Sequence, residues 1–275
     1  MDCDRPPGWV VRSAVSGFLP GSSAFRFTNS FDAQPLLALR LPGMPMGIGI
    51  GIGDASRGLC GGMIFAVRDL FEAGIAVPPD TEPPRRGTSL YGYLVRRLLA
   101  SFDLPRGVAR YYGLMRGADT YPRPRPAGAS RPGSSRPVRP GSALGRLGVG
   151  WRSLADEWPR IRLDLDSGRL APIGVITVHS ADPLQLGLNH QVLAYAYTQV
   201  DTAVTLRVYD PNTPLERADD VTMSFDLAAA GGDSGRVRIT HSIAIGGRPV
   251  RAFFHSRYRW ADPRPALRVP SAGIG

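Results

Sequence analysis

Three side chains of this 275-residue sequence have the types and spacing needed for covalent acyl chemistry. Cys60 opens the apolar run Leu59-Cys60-Gly61-Gly62-Met63-Ile64-Phe65-Ala66-Val67, which reads as the first turns of a helix. Free N–H groups and the positive end of the dipole at a helix N-terminus favour thiolate over thiol, and the thiolate is the species that attacks a carbonyl carbon. His190 follows 130 residues later and Asp210 another 20 beyond it. An imidazole within reach of the thiol can take its proton and return it to a leaving group, and a carboxylate behind the ring fixes its tautomer. Taken singly, each residue has an ordinary use: a lone Cys is a small buried hydrophobe, His190 a satisfied strand-edge histidine, and Asp210-Pro211-Asn212 a turn. Their order and spacing together point to catalysis.

The elements that must position them can be read from periodicity. Val192, Ala194 and Ala196, then Val204, Leu206 and Val208, alternate as two neighbouring strands, the first opening at His190 and the second ending at Asp210. Asp210 can close a turn while its carboxylate meets His190; Asn189 and Asn212 flank the pair as further site candidates. The Cys60 helix is expected to reach Phe71 or Ala73 and stop at Gly74, with Met63, Val67 and Leu70 as its core stripe. A second helix is expected from Thr88 or Ser89 to about Phe102, striped by Leu90, Leu94, Leu98 and Phe102 with Arg96 and Arg97 off the stripe. A third spans Val108 to Met115, and a fourth, disturbed by Pro159, Trp151 to Asp166. A strand is expected at Ala24 to Phe27, and a strand-rich half from Ile173 to Tyr258. Gly47 to Gly53 alternates Gly with Ile; so many glycines leave little to pack, and the segment reads better as a loop feeding the catalytic helix than as a strand.

With these residues in view, the chain resembles the papain-like cysteine peptidase superfamily, and in particular the small bacterial branch that includes the double-glycine leader peptidases. The resemblance rests on Gly58 to Phe71, Asn189 to Tyr197 and Val208 to Pro214, with lesser support from Arg251 to Tyr258. It implies an α+β fold with an N-terminal helical half carrying the Cys and a C-terminal antiparallel β half carrying His and Asp. It also implies Cys60 as nucleophile, His190 as general base and then acid, and Asp210 as the residue orienting the imidazole. Such peptidases place a Gln about six residues before the Cys to donate to the oxyanion; this chain has Asp54, which accepts only when ionised. Ser56, Asn29, Gln34 and the backbone N–H of Cys60 are the other oxyanion candidates. The expected function is a cysteine hydrolase, peptidase or amidase, working through an acyl-enzyme on a peptide, amide or ester held in a cleft between the halves. An acyltransferase or cyclase on the same site, and an inactive papain-like binding protein, are the alternatives.

Composition bounds the remainder. With 43% hydrophobic residues the chain can bury a core. The expected organisation is a loosely ordered lead-in over 1–24, a helical lobe over 25–119, a mobile Pro/Arg/Ser-rich loop over 120–142, a β-rich lobe over 143–262 and a tail over 263–275. The formal charge of +10 is carried by Arg alone, with no Lys, and is spread without aromatic interleaving, so a nucleic-acid partner is not expected. The two cysteines, 57 residues apart, make neither a zinc-ligand pair nor a secreted disulfide framework, and His179, His241 and His255 lack metal-site spacing; neither metal nor cofactor is expected. No apolar stretch reaches the length of a membrane span, and the acidic start Met1-Asp2-Cys3-Asp4 lacks a signal-peptide core. A cytoplasmic protein is the expectation, with export without a cleaved signal left open. The sequence carries no indication of oligomeric state.

Overall fold

The long strand beginning at His190 organises the molecule. In the computed structural model, which describes residues 8–31, 38–39, 50–51, 59–119, 148–230 and 237–267, the elements in chain order begin with β1 (Val10–Ala14), α1 (Pro20–Ser23), β2 (Ala38–Leu39) and β3 (Ile50–Gly51). The helices α2 (Cys60–Glu72), α3 (Ser89–Ser101), α4 (Arg106–Arg116), α5 (Val149–Arg152) and α6 (Trp158–Asp166) come next. Strands β4 (Ala171–Ile176), β5 (His190–Val200), β6 (Ala203–Tyr209), β7 (Thr222–Asp226), β8 (Thr240–His241) and β9 (Ala252–His255) follow, and α7 (Arg264–Leu267) closes the described chain. The architecture is α+β: an antiparallel seven-stranded sheet in the order β8-β7-β6-β5-β4-β9, with β1 also on β5.

β5 is long enough to serve two partners along one edge. Its first half pairs with β4, His190 opposite Val175, and its second half pairs with β1, Val200 opposite Val10. The change falls at a register shift between Ala194 and Ala196, where the carbonyl of the extra residue, Tyr195, accepts from the Val15 N–H at 2.9 Å. The segment expected as a loosely ordered lead-in therefore contributes a strand to the main sheet, because β1 covers the half of the β5 edge that β4 leaves open. The strand expected at Ala24 to Phe27 does not form. Phe25 and Phe27 are buried and their rings stack at 4.9 Å, so the period-two pattern marks two packed aromatics on irregular backbone.

The four expected helices form, with instructive differences. α2 ends at Glu72, and Gly74 takes the left-handed conformation at φ 65° that stops it. Every residue from Cys60 to Leu70 is buried, including Arg68 and Asp69, so α2 is a central helix with no solvent face. α3 is capped by Thr88, whose hydroxyl accepts from the Tyr91 N–H, and Arg97, expected off the core stripe, is buried in an ion pair with Asp69. The fourth helix is interrupted as Pro159 requires: α5 and α6 are joined by a π turn at Ser153–Glu157, since proline has no N–H to donate one turn back. Of the Gly/Ile segment, Ile50–Gly51 pairs with Ala38–Leu39 as a two-residue ribbon where a loop was expected. A ladder needs only backbone groups, which glycine supplies as well as any residue. The remainder of that segment and the 120–142 segment lie outside the described residues.

Candidate active site

The position of Cys60 follows from two glycines. α2 crosses α3 so closely that a Cβ on Gly62 would lie 2.2 Å from the Leu94 carbonyl oxygen, and one on Gly61 would lie 2.2 Å from Ser101 Oγ and 2.5 Å from Gln191 Nε2. The Gly-Gly pair after Cys60 thus seats the helix N-terminus against both α3 and the start of β5. The first turn brings the buried, free Cys60 against His190.

His190 is placed from the strand side. Ahead of it, the 3-10 turn Pro183–Leu188 ends at Asn189, whose Oδ1 accepts from the Thr177 N–H at 3.1 Å and whose Nδ2 donates to the Leu186 carbonyl at 3.1 Å. Asn189 therefore fixes how the chain enters β5 and does not face the triad as a reacting group. The His190 ring, 5% exposed, donates from Nε2 to Asp210 Oδ1 at 2.7 Å, which leaves Nδ1 for Cys60. Asp210 follows directly on β6, beside β5 in the antiparallel ladder, with Tyr209 opposite Leu193.

The Asp210 carboxylate is fully buried and fully bonded. Oδ1 accepts the Asn212 N–H at 3.0 Å as well as His190, and Oδ2 accepts the Thr213 hydroxyl and the Ala244 N–H, each at 2.8 Å. Burial alone would raise its pKa, but the His190 charge and these donors outweigh burial and hold it down at about 2. Burial alone would lower the His190 pKa; the negative charge of Cys60 and then that of Asp210 outweigh it and raise it from 6.5 to about 10. The buried imidazole thus lies between the Asp210 carboxylate and the Cys60 side chain. Tyr111 lies close enough to Cys60 to feel its charge. Its buried hydroxyl has no hydrogen-bond partner among the described residues, and burial, then the Cys60 charge, push the phenol well above its usual pKa.

The structure brings Cys60, His190 and Asp210 together and joins Asn29 to Asn212 beside them. Asn29 Oδ1 accepts from the Leu59 N–H and Nδ2 donates to Asn212 Oδ1 at 2.9 Å, so both ends of its carboxamide are engaged in connections. Asp54, Ser56 and Gln34, the other side-chain oxyanion candidates, lie outside the described residues. The Cys60 backbone N–H sits in the first turn of α2, where a helix has no internal acceptor to offer.

Sequence reasoning missed Thr213, Ala244 and Tyr111. Thr213 carries a signal, because Asp-Pro-Asn-Thr favours an Asx turn with a second hydroxyl on the same carboxylate; the Thr213 N–H does close onto the Asp210 carbonyl at 3.0 Å. Ala244 acts through its backbone and Tyr111 through a tertiary contact, neither of which leaves a pattern. Among the described residues no group of three His, Cys, Asp or Glu side chains could hold a metal ion, and no helix is long and apolar enough to cross a membrane. A scan against protein-family models, a search of curated proteins and a search of solved structures each find no match.

Proposed function

We propose that this protein is a papain-like cysteine hydrolase, a peptidase or amidase, in which Cys60 is the nucleophile, His190 the acid and base, and Asp210 the residue that orients the imidazole. The single observation that carries the reading is the buried His190, donating to an Asp210 carboxylate held by three further donors while its other face meets Cys60. A merely structural histidine needs one partner. This one stands between a thiol at a helix N-terminus and a carboxylate whose charge is fully supported.

The steps follow from the groups present. The Cys60 thiolate adds to the acyl carbonyl carbon, and the resulting oxyanion accepts from the Cys60 N–H. The tetrahedral adduct collapses as His190 Nδ1 gives its proton to the leaving amine, leaving a thioester on Cys60. Neutral His190 then takes a proton from water, whose oxygen attacks the thioester carbonyl, and the second adduct collapses to release the acid product and the Cys60 thiolate, with the proton kept on His190 for the next cycle. Asp210 keeps the Nε2–H in place throughout and remains ionised.

The test is the pH dependence of Cys60 alkylation by iodoacetamide in a Cys3→Ser background, alone and with His190→Ala or Asp210→Ala. The reading requires an alkylation midpoint well below the ordinary thiol value of about 8.5 that rises when His190 is lost. A midpoint at the ordinary value, indifferent to His190, would overturn it. Mass spectrometry of Cys60 adducts formed with activated acyl esters then separates outcomes: loss to water marks a hydrolase, and transfer to added amines marks an acyltransferase.

A further inference from the structure

Leu59, beside the nucleophile, and Asp210, behind the imidazole, belong to segments far apart in sequence, and two asparagine side chains join them. The Leu59 N–H donates to Asn29 Oδ1, and Asn29 Nδ2 donates to Asn212 Oδ1 at 2.9 Å. Asn212 Nδ2 donates to the Ala244 carbonyl at 2.9 Å, and the Ala244 N–H returns to Asp210 Oδ2 at 2.8 Å. With Asp210 on His190 and His190 on Cys60, the path closes on the residue next to its start. Asn29 is further anchored by its backbone N–H, which donates to the Pro211 carbonyl at 2.8 Å.

The polarity of this chain is fixed at both ends. Leu59 offers an N–H, so Asn29 must present its oxygen there and its NH2 to Asn212. Asn212 must then present its oxygen to Asn29, which leaves its NH2 for Ala244, where a carbonyl waits. Each carboxamide accepts on one side and donates on the other, an arrangement in which neighbouring hydrogen bonds polarise and strengthen one another. No other side chain of this size does both; aspartate would accept at one joint and oppose an oxygen at the other.

We propose that Asn29 and Asn212 are a pair of positioning residues, a two-amide connector that holds the nucleophile's helix and the Asp210 turn in one mutual geometry. The proposal deepens the hydrolase reading and rests on it for its functional consequence. The connector acts through Cys60 and Asp210 and touches neither reacting atom.

The experiment uses the full chain with Cys3→Ser and the substitutions Asn29→Ala, Asn212→Ala and both together. Backbone amide exchange at Leu59 and Ala244 is read by NMR, and the alkylation midpoint of Cys60 is read in parallel. Asn212→Ala is expected to speed exchange at Leu59, which it does not touch, by about tenfold, and Asn29→Ala to do the same at Ala244. The double variant should add little to either single one, because a chain cut once is already cut. The alkylation midpoint should rise to a common value in all three. Should an Ala variant not fold, Asn29→Asp and Asn212→Asp keep the shape and break one joint each. Exchange that changes only beside each substitution, or effects that sum in the double variant, would overturn the connector. An ordinary thiol midpoint in the parent protein would instead overturn the hydrolase reading, with the exchange data still deciding the connector.

Discussion

His190 is the residue whose chemistry depends most on its neighbours. Its folded-state pKa of about 10 lies above the ordinary 6.5, so the stability gained by charging it is fully present below about 6.5 and is lost as pH rises through about 10. Asp210 has the opposite sign: its contribution is full above 3.8 and is lost as pH falls through about 2. Both contributions are complete between about 4 and 6.5. Cys60→Ser removes the larger of the two negative influences on the ring, so the His190 titration, followed by the imidazole NMR shifts, is expected to move down from about 10. An unmoved midpoint would mean that Cys60 does not face the ring as an anion. The Cys60, His190 and Asp210 cluster was legible because two rare residue types, Cys and His, stand in order ahead of a turn-forming Asp. Their support was not: the contacts that Asn29 makes with Leu59 and Asn212 join segments far apart in the chain and leave no local pattern.

At the scale of elements, glycine decides where Cys60 sits. Ala has the higher intrinsic helix propensity by about 1 kcal/mol, so propensity alone says that Gly62→Ala stabilises α2. The Cβ position 2.2 Å from the Leu94 carbonyl says otherwise, since backbone on a packed helix cannot yield cheaply. The expected outcome is a net loss of about 2 kcal/mol in denaturant unfolding, in the range of overpacked cores. Gly113, with open space around its Cβ position, provides the control, where Ala should be neutral or stabilising. The helices were visible in the sequence because their periodicity and stop signals are local: Gly74 ends α2, Thr88 caps α3 and Pro159 breaks the fourth. β1 was not visible, because a short exposed-edge strand with alternate residues half-buried owes its existence to a partner 186 residues away. The burial of α2 from Cys60 to Leu70 was hidden for the same reason, as its Arg68 and Asp69 resemble surface residues until their partners are known.

Across the whole molecule, the halves are joined by a buried polar clasp as well as by the active site. Asp69 on α2 pairs with Arg97 on α3 at 2.6 Å and accepts from the Tyr93 hydroxyl at 2.8 Å, the Tyr258 hydroxyl at 2.6 Å and the Ala261 N–H at 3.0 Å. Arg97 also donates to the Arg259 carbonyl, so the stretch after β9 is pinned onto both helices. Asp69→Ala leaves the Arg97 charge buried without its partner and is expected to cost about 3–5 kcal/mol in denaturant unfolding. In whatever fraction remains folded, the Cys60 alkylation midpoint should stay where it was; a shift would mean that the clasp tunes the site as well. The mixture of helices and strands was readable from periodicity along the chain, whereas the interweaving of β1 and this clasp depends on contacts between distant residues. At the last strand of the sheet, the outward N–H groups of Phe253 and His255 are taken by Ser153 Oγ at 2.8 Å and Glu157 Oε2 at 3.1 Å, and the His255 carbonyl accepts from Arg110. The π turn brings Ser153 and Glu157 to the same strand. Side chains therefore occupy the hydrogen-bonding positions that a β-strand from another molecule would need, so this border offers no template for strand addition, and fibrillar growth from it would first have to dislodge a helix.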